Sequence, residues 1–257
     1  MKLNISPLRV EIKPNFTLLF EGRKIKPNIR RLSEMRDVLL DKEFYRKSDK
    51  RIKLYYMYRD LHRKDDEKIF YREKIRFDIT VIPPRRLGIE FVKTAGHYHP
   101  AVKGKKYSYI EIYEILHGHG LFLLQKRDGN KITDVIIIEG KKGDKIIVPP
   151  NYGHITINNS KSFLVMCNLV SSVFKSCYRP IKQKHGGAYF ICVDGIKKNE
   201  RYGNLPKPRI IKARNIKSMR GNIYKLFIKN PKMFEFLNKP EKYYKMERAG
   251  LLPKITK

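Results

Sequence analysis

The chain has 257 residues and carries 57 lysines and arginines against 25 acidic residues, a formal net charge of +32 at pH 7. Its hydrophobic fraction of 41% and aromatic fraction of 11% are enough for a sizeable core, which excludes a disordered chain. No stretch approaches the roughly 20 apolar residues of a membrane span, and no signal-peptide pattern is expected near the start. Three cysteines without CxxC spacing favour a reduced, cytoplasmic protein with no membrane partner.

The positive charge is spread along the chain. Residues 216–257 carry a net charge of +8, which leaves +24 for residues 1–215. A segment dedicated to nucleic acid is more often a basic block with few acids. Nucleic acid is therefore an open but unfavoured partner, and part of the charge can instead steer a small anionic ligand towards the protein.

The elements are predicted in chain order. The N-terminal part predicts a helix over 33–46, capped by Ser33, then a strand at 54–58 and a loop or hairpin over 62–68. Short strands separated by turns follow at 75–82, 88–99, 107–116, 119–126, 132–138, 145–148, 153–158 and 162–170. The segments between these predicted strands are too short for the helices that parallel strands would need. The pattern therefore favours an antiparallel barrel or jelly roll within a domain of residues 1–215. Residues 216–257 predict a basic helical appendage, because proline precedes its helical segments and Gly250 follows the last one.

Histidines supply the strongest chemical signal. His97 and His99 are two residues apart, so on a strand both imidazoles point to the same face. Glu111 and Tyr113 repeat that spacing, and His154 follows a Pro-Pro turn. Three imidazoles and one carboxylate suit one divalent transition metal, namely Fe²⁺, Mn²⁺, Ni²⁺, Co²⁺ or Zn²⁺. Four protein ligands leave two positions of an octahedral ion open to two oxygens of a substrate, for which the ion would act as a Lewis acid.

An HxH pair by itself is weak, since alternating histidines on a strand are common at surfaces. The second such pair, His117 and His119, flanks Gly118 in a predicted turn and is assigned to the surface. The context of the first pair is more specific. It comprises Gly96-His97-Tyr98-His99, then Glu111 and Gly118, and further on Gly143, Pro149-Pro150-Asn151, His154 and Asn158.

This arrangement resembles the two-part cupin signature and implies a cupin double-stranded β-helix, a jelly-roll barrel. Asn151 stands where the signature has glycine, and asparagine is the next-best residue for a left-handed backbone. The spacing from His99 to Glu111 is longer than usual. Residues 100–110 are therefore expected to form an extended loop or hairpin.

Several segments narrow the resemblance to the archaeal cupin-type glucose-6-phosphate isomerases, over roughly residues 8–200. They are Arg31 to Met35, Phe77 to Val81, Thr94 to His99, Glu111 to Tyr113 with Leu116, Gly118 and Gly120, Leu123 to Gln125, and Val148 to His154. The family resemblance implies a homodimer and a reaction that interconverts glucose 6-phosphate and fructose 6-phosphate. It implies metal ligands at His97, His99, Glu111 and His154, phosphate contacts at Tyr55, Thr80, Thr94 and Gly96, and substrate-facing tyrosines at Tyr113 and Tyr178.

Glu111 is the candidate base and Tyr113 the residue that orients or shuttles a hydroxyl proton. Three family positions are altered. Asn151 replaces a tyrosine for which Tyr152 could substitute, a second tyrosine falls near Leu169, and a histidine falls near Ser176. The alternatives left open are a cupin that takes another sugar phosphate, a non-enzymatic cupin that binds a polyanion such as nucleic acid, and an Fe²⁺ oxygenase.

Overall fold

Short strands make up most of the fold. The computed structural model describes residues 1–213 and 216–255. Its strands are β1 Lys2–Ile5, β2 Leu8–Ile12, β3 Leu18–Phe20, β4 Arg23–Ile25, β5 Asn28–Arg31, β6 Lys53–Tyr58, β7 Ile75–Ile82, β8 Arg86–Leu87, β9 Glu90–Lys93, β10 Glu111–His117, β11 His119–Asp128, β12 Lys131–Lys141, β13 Lys145–Val148, β14 Tyr152–Asn158, β15 Leu164–Ser171, β16 Tyr189–Cys192, β17 Gly195–Lys198 and β18 Arg209–Lys212. The helices are α1 Lys42–Lys47, α2 Glu67–Glu73, α3 Arg179–Gln183, α4 Ile223–Lys229 and α5 Pro240–Arg248, with 3₁₀ helices at Leu32–Val38, Lys64–Asp66, Glu200–Tyr202 and Pro231–Leu237.

Two curled sheets form the barrel. Within the described ranges, one has six strands in the order β13-β10-β15-β7-β6-β5, and the other has the order β17-β16-β9-β14-β11-β12-β18 with β8 on β9. The pairings are antiparallel except that of β12 with β18. Buried residues of both sheets meet in one apolar cluster between them, including Ile115, Phe122 and Ile155. The mainly β, cupin-type jelly roll expected from the strand pattern is confirmed.

A second apolar cluster lies on the outer face of the six-stranded sheet. The sheet of β1 to β4 and the C-terminal helices contribute to it. Tyr224 of α4 accepts a hydrogen bond from the Arg63 amide and donates one to Asp66, at 2.9 and 2.7 Å. The Ile223 amide donates to the buried Glu114 carboxylate of β10 at 2.7 Å. The division at residue 215 stays a prediction, and residue 215 lies outside the described residues.

Two predictions for the N-terminal part were wrong in detail. The helix expected over 33–46 is interrupted, because Leu39 is extended and Asp41 caps a new helix by accepting from the Phe44 amide. The first segment is the 3₁₀ helix Leu32–Val38, which begins after Arg31, and the Glu34 carboxylate accepts a hydrogen bond from the Arg31 amide. Ser33 therefore lies inside this helix and is not its N-terminal cap. The loop expected over 62–68 is a 3₁₀ turn that runs into α2. In the part of the chain that is described, no helix is long and apolar enough to cross a membrane.

Phe227 tests whether the C-terminal helices belong to the folded core. Its side chain is fully buried, and its ring centroid lies 4.8 Å from that of Phe70 in α2. We expect F227A to lower the free energy of unfolding by about 3–5 kcal/mol, because a large buried ring is replaced by a cavity. Tyr71 is 87% exposed, and Y71A should change it by less than about 0.5 kcal/mol. Urea unfolding followed by circular dichroism measures both, and equal midpoints for the two variants would contradict the prediction.

Candidate metal centre and its pocket

The backbones of His97 and His154 bring the two halves of the site together. His97 follows β9, and it pairs with His154 in β14 through two hydrogen bonds of 3.0 and 3.3 Å. Gly96, just before it, has a φ of +75°, and a Cβ there would lie 2.5 Å from Ile155. Glycine is required because this conformation and this close approach both exclude a side chain. His154 itself lies in a strand, not in the turn that precedes it.

Four ligand atoms converge at this point. One nitrogen each from His97, His99 and His154 and one oxygen of Glu111 all lie within 4.8 Å of one another. The Glu111 Oε2 atom is 3.2 Å from His99 Nε2 and 3.3 Å from His154 Nε2. The four residues predicted as metal ligands therefore form a cluster that could hold a metal ion.

The donor set fits a transition metal ion. His99 Nδ1 lies 3.0 Å from the Tyr109 carbonyl oxygen, which can only accept, so Nδ1 carries the proton and Nε2 presents its lone pair. Nε2 is buried, and Glu111 Oε2 at 3.2 Å cannot satisfy it, because an unprotonated nitrogen has no proton to donate to a carboxylate oxygen. Such an atom is costly to bury unless a ligand completes it. Three imidazoles and one carboxylate match Fe²⁺, Mn²⁺, Ni²⁺, Co²⁺ or Zn²⁺.

Burial sets the charges of the cluster. Burial lowers the pKa of His97 well below its usual 6.5, and His154 and His99 lower it further. Burial also lowers the pKa of His154. For Glu111, burial alone would raise the pKa, but its close contacts with the His154 and His99 rings outweigh burial, and the pKa falls well below 4.5. At neutral pH the imidazoles of His97 and His154 are neutral and the Glu111 carboxylate is charged, which is the form of these groups that binds metal.

All the residues predicted for the site line one pocket around this cluster. They are Tyr55, Thr80, Thr94, Gly96, His97, His99, Glu111, Tyr113, His154 and Tyr178. Tyr113 lies two residues beyond Glu111 on β10, and its hydroxyl is 3.1 Å from His154 Nε2. Burial and the Glu111 charge raise the pKa of Tyr113 well above 10, so it stays a neutral hydroxyl.

Hydroxyl groups line another part of the pocket. The Tyr55 hydroxyl accepts from the Ala95 amide and from Arg30 Nε, each at 3.2 Å, which leaves its own proton available. The Thr94 hydroxyl accepts from the Thr156 amide at 3.0 Å and is likewise free to donate. Together with Thr80 these groups offer donors to an anion, as phosphate oxygens require. The roles of these residues remain predictions.

The structure shows where the three positions that differ from the family pattern lie. Asn151 has a φ of +69°, as expected for the left-handed position, and its side chain bonds to Ser108 and Lys106. Tyr152 cannot substitute in the pocket, because it is buried elsewhere and donates to Asp134 at 2.7 Å. Leu169 faces the outer cluster, whereas its neighbours Asn168 and Val170 line the pocket, as does Ser176.

Three charged pocket residues were missed by the sequence reasoning. Arg59, Arg76 and Asp78 line the pocket beside the metal cluster. Burial by itself would lower the pKa of Arg76. The charges of Asp78 and, more weakly, Glu111 raise it by more, so the pKa of Arg76 lies above its usual value. Strand periodicity could have found them, because Arg59 lies four residues after Tyr55, and Asp78 and Arg76 lie two and four before Thr80. Such spacing places residues on one face of a strand.

The fold and the site together define a cupin with a candidate metal centre of three histidines and one glutamate. The chain belongs to the glucose-6-phosphate isomerase family, whose sequence model, described as glucose-6-phosphate isomerase (GPI), matches residues 29–207. Curated relatives that match it are archaeal cupin-type glucose-6-phosphate isomerases. The glucose-6-phosphate isomerase of Thermococcus litoralis is 32% identical over 146 residues, covering 55% of this chain and 68% of that protein.

Two further proteins are similar over comparable spans. The glucose-6-phosphate isomerase of Pyrococcus furiosus is 32% identical over 152 residues, covering 57% of this chain and 70% of that protein. A solved cupin 2 conserved barrel domain protein from Rhodopseudomonas palustris is 13% identical, with a TM-score of 0.33, covering 60% of this chain and 77% of that one.

Removal of one imidazole is expected to abolish tight metal binding. H97A should lower the affinity for Co²⁺ or Mn²⁺ by more than about 100-fold, since even loss of a residue that only orients a ligand costs about 10–100-fold. Competition titration with a chelating dye measures this. His119 is exposed and is the first residue of β11, so H119A is the matched control and should bind as the parent does. Equal affinities for the two variants would rule out the cluster as the metal site.

Acidification is expected to destabilise the metal-free protein. His97 and His154 have lowered pKa values in the folded state, so below pH about 6.5 the unfolded chain binds more protons than the folded one. The free energy of unfolding should fall by up to about 1.4 kcal/mol per pH unit for each histidine. Glu111, with its lowered pKa, adds a loss only below about pH 4.5.

Urea unfolding of the chelated protein between pH 8 and 5 measures this slope. The double variant H97A/H154A should give a shallower slope than H119A. If the two slopes were the same, the buried imidazoles would not be the origin of the pH dependence.

Proposed function

We propose that this protein is a metal-dependent isomerase that interconverts glucose 6-phosphate and fructose 6-phosphate. The observation that carries the proposal is a single pocket, in a chain of this family, that joins a His₃Glu cluster to a set of hydroxyl donors. The curated relatives bear the name glucose-6-phosphate isomerase. The pocket thus offers one part for a phosphate and another for the oxygens at the reacting end of the sugar.

The metal would be held by His97, His99, Glu111 and His154. Fe²⁺, Mn²⁺, Ni²⁺, Co²⁺ and Zn²⁺ all suit these donors, and such an ion supplies Lewis acidity to a carbonyl. Two of these ligands are oriented by contacts with the backbone. His99 is oriented by the Tyr109 carbonyl, and His154 by the backbone pairing with His97.

Tyr55, Thr80, Thr94 and Gly96 are proposed to bind the phosphate. The Tyr55 and Thr94 hydroxyls can each donate a proton to an acceptor, and Gly96 lines the same pocket, where its backbone N–H would be a further donor. Tyr178 would border the bound sugar, since its ring centroid lies 5.3 Å from that of His97.

Glu111 is proposed as the base that moves a proton between C1 and C2 of the open-chain sugar. Both close contacts with His99 and His154 are made by Oε2, which leaves Oε1 as the atom to accept the proton. Tyr113, kept neutral by its raised pKa, would orient or shuttle the proton of a sugar hydroxyl. A hydride shift between the same carbons is the alternative route, and only the proton route allows exchange with solvent deuterium.

The test is an isomerase assay on protein reconstituted with each metal, using glucose 6-phosphate and mannose 6-phosphate with EDTA as a control. We expect E111Q to lower kcat by about 100- to 10,000-fold, the usual contribution of a general base. T94V should chiefly raise KM, and H119A should leave both constants unchanged. Failure of the reconstituted protein to turn over either sugar phosphate would overturn the proposal.

Mannose 6-phosphate is included because three positions of the family's substrate site, at Asn151 and near Leu169 and Ser176, are altered in this chain. Turnover of that substrate alone would keep the reaction and change the sugar. A homodimer and a cytoplasmic location complete the proposal. The family resemblance supports the homodimer. The three unpaired cysteines support the cytoplasmic location.

A further inference from the structure

Two arginines of the pocket have no role in the reaction as proposed. Arg59 immediately follows β6, and Arg76 lies on β7. Asp78 pairs with Asn168 of β15, which pairs with Tyr113 of β10. Arg76 pairs with Val170, which pairs with Glu111, so Asp78 lies in the row of Tyr113 and Arg76 in the row of Glu111. They are two and four residues along β7 from Thr80.

The two guanidinium groups are held in place by one carboxylate. Arg59 Nη1 and Arg76 Nε each donate to Asp78 Oδ2 at 3.0 Å. Asp78 Oδ1 accepts from the Asp60 amide at 2.9 Å. The Asp78 side chain is only 3% exposed, while those of Arg59 and Arg76 are 37% and 21% exposed. The carboxylate is thus enclosed, and the guanidinium groups reach the pocket.

Arg59, Arg76 and Asp78 together carry one positive charge, and Glu111, the next carboxylate that acts on Arg76, belongs to the candidate metal cluster. A single arginine would neutralise Asp78, and placing a second partly buried cation there is costly unless it meets an anion. Arg76 uses only its Nε for Asp78. Over residues 1–213 and 216–255, no partner is recorded for its two terminal nitrogens, so the planar fork remains available for a carboxylate or phosphate.

We propose that Arg59 and Arg76 form a second anion subsite at the metal end of the pocket, which takes a carboxylate on the ligand. This inference rests on the proposed function, which places the phosphate of the ligand among the hydroxyl groups. A sugar acid phosphate, with a carboxylate where the aldose has its aldehyde, would then be held at both ends. The subsite makes such acids tight ligands of the site and would stabilise negative charge on the oxygens of C1 and C2.

The test compares the binding of gluconic acid 6-phosphate with that of glucitol 6-phosphate, which lacks the carboxylate. Isothermal titration calorimetry on metal-loaded protein measures both. R76Q should weaken the acid by about 10- to 100-fold, the usual contribution of hydrogen bonds to a charged group, and glucitol 6-phosphate by less than about 3-fold. R59Q should also weaken binding of the acid. R76K keeps the positive charge but lacks the planar guanidinium group, so its affinity for the acid should lie between those of the parent and R76Q.

Arg51 supplies the matched control, because its side chain is 89% exposed and its ion pair with Asp49 lies at the surface. R51Q removes the same charge from the surface and should leave both affinities unchanged, which separates the subsite from general steering by net charge. Circular dichroism melting curves confirm that each variant is folded before titration.

The outcomes separate this inference from the proposed function. Equal weakening of both ligands by R76Q, or weakening of neither, would overturn the subsite even if the parent isomerises glucose 6-phosphate. Arginine-dependent binding of the acid by a protein without isomerase activity would support the subsite and overturn the function.

Discussion

The reciprocal backbone hydrogen bonds between His97 and His154 are the interaction on which the rest of the site depends. They join a loop after β9 to the middle of β14, more than fifty residues further along the chain. Both residues also contribute ring nitrogens to the metal cluster, so the pairing that closes the barrel locally also sets the spacing of the donors. A shift of one residue in this pairing would turn one imidazole to the other face of the strand.

The inner face of the six-stranded sheet extends the site away from this point. Because side chains alternate along a strand, every second residue of β6, β7, β10 and β15 faces the pocket. Tyr55 and Thr80 reach the hydroxyl part, while Glu111 and Tyr113 reach the metal cluster. The same alternation gives the outer face an apolar cluster with the C-terminal helices. One sheet therefore serves two purposes, a polar pocket on one side and a hydrophobic core on the other.

The net charge of +32 has a limited bearing on the site. Among the residues that the structure describes, lysines do not line the pocket, whereas Arg59 and Arg76 do, held in place by the buried Asp78. A guanidinium group combines permanent charge with a planar set of donors, which suits recognition of a carboxylate or phosphate inside a pocket. The diffuse surplus of lysine acts at longer range, through the rate at which an anion approaches. The C-terminal helices carry many positive charges, yet their Phe227 and Tyr224 side chains are buried against the barrel.

The sequence by itself determined the strand pattern, the cupin class and the identity of the four candidate ligands, since turn residues, period-two alternation and the spacing of His97, His99, Glu111 and His154 are local properties. It also indicated the left-handed backbone at Asn151, because few residues tolerate that conformation. Only the tertiary structure decided which side chains share the pocket. Tyr152 leaves it for Asp134, and Arg59 and Arg76 enter it, because strand register and burial depend on pairings between distant segments that no local pattern records.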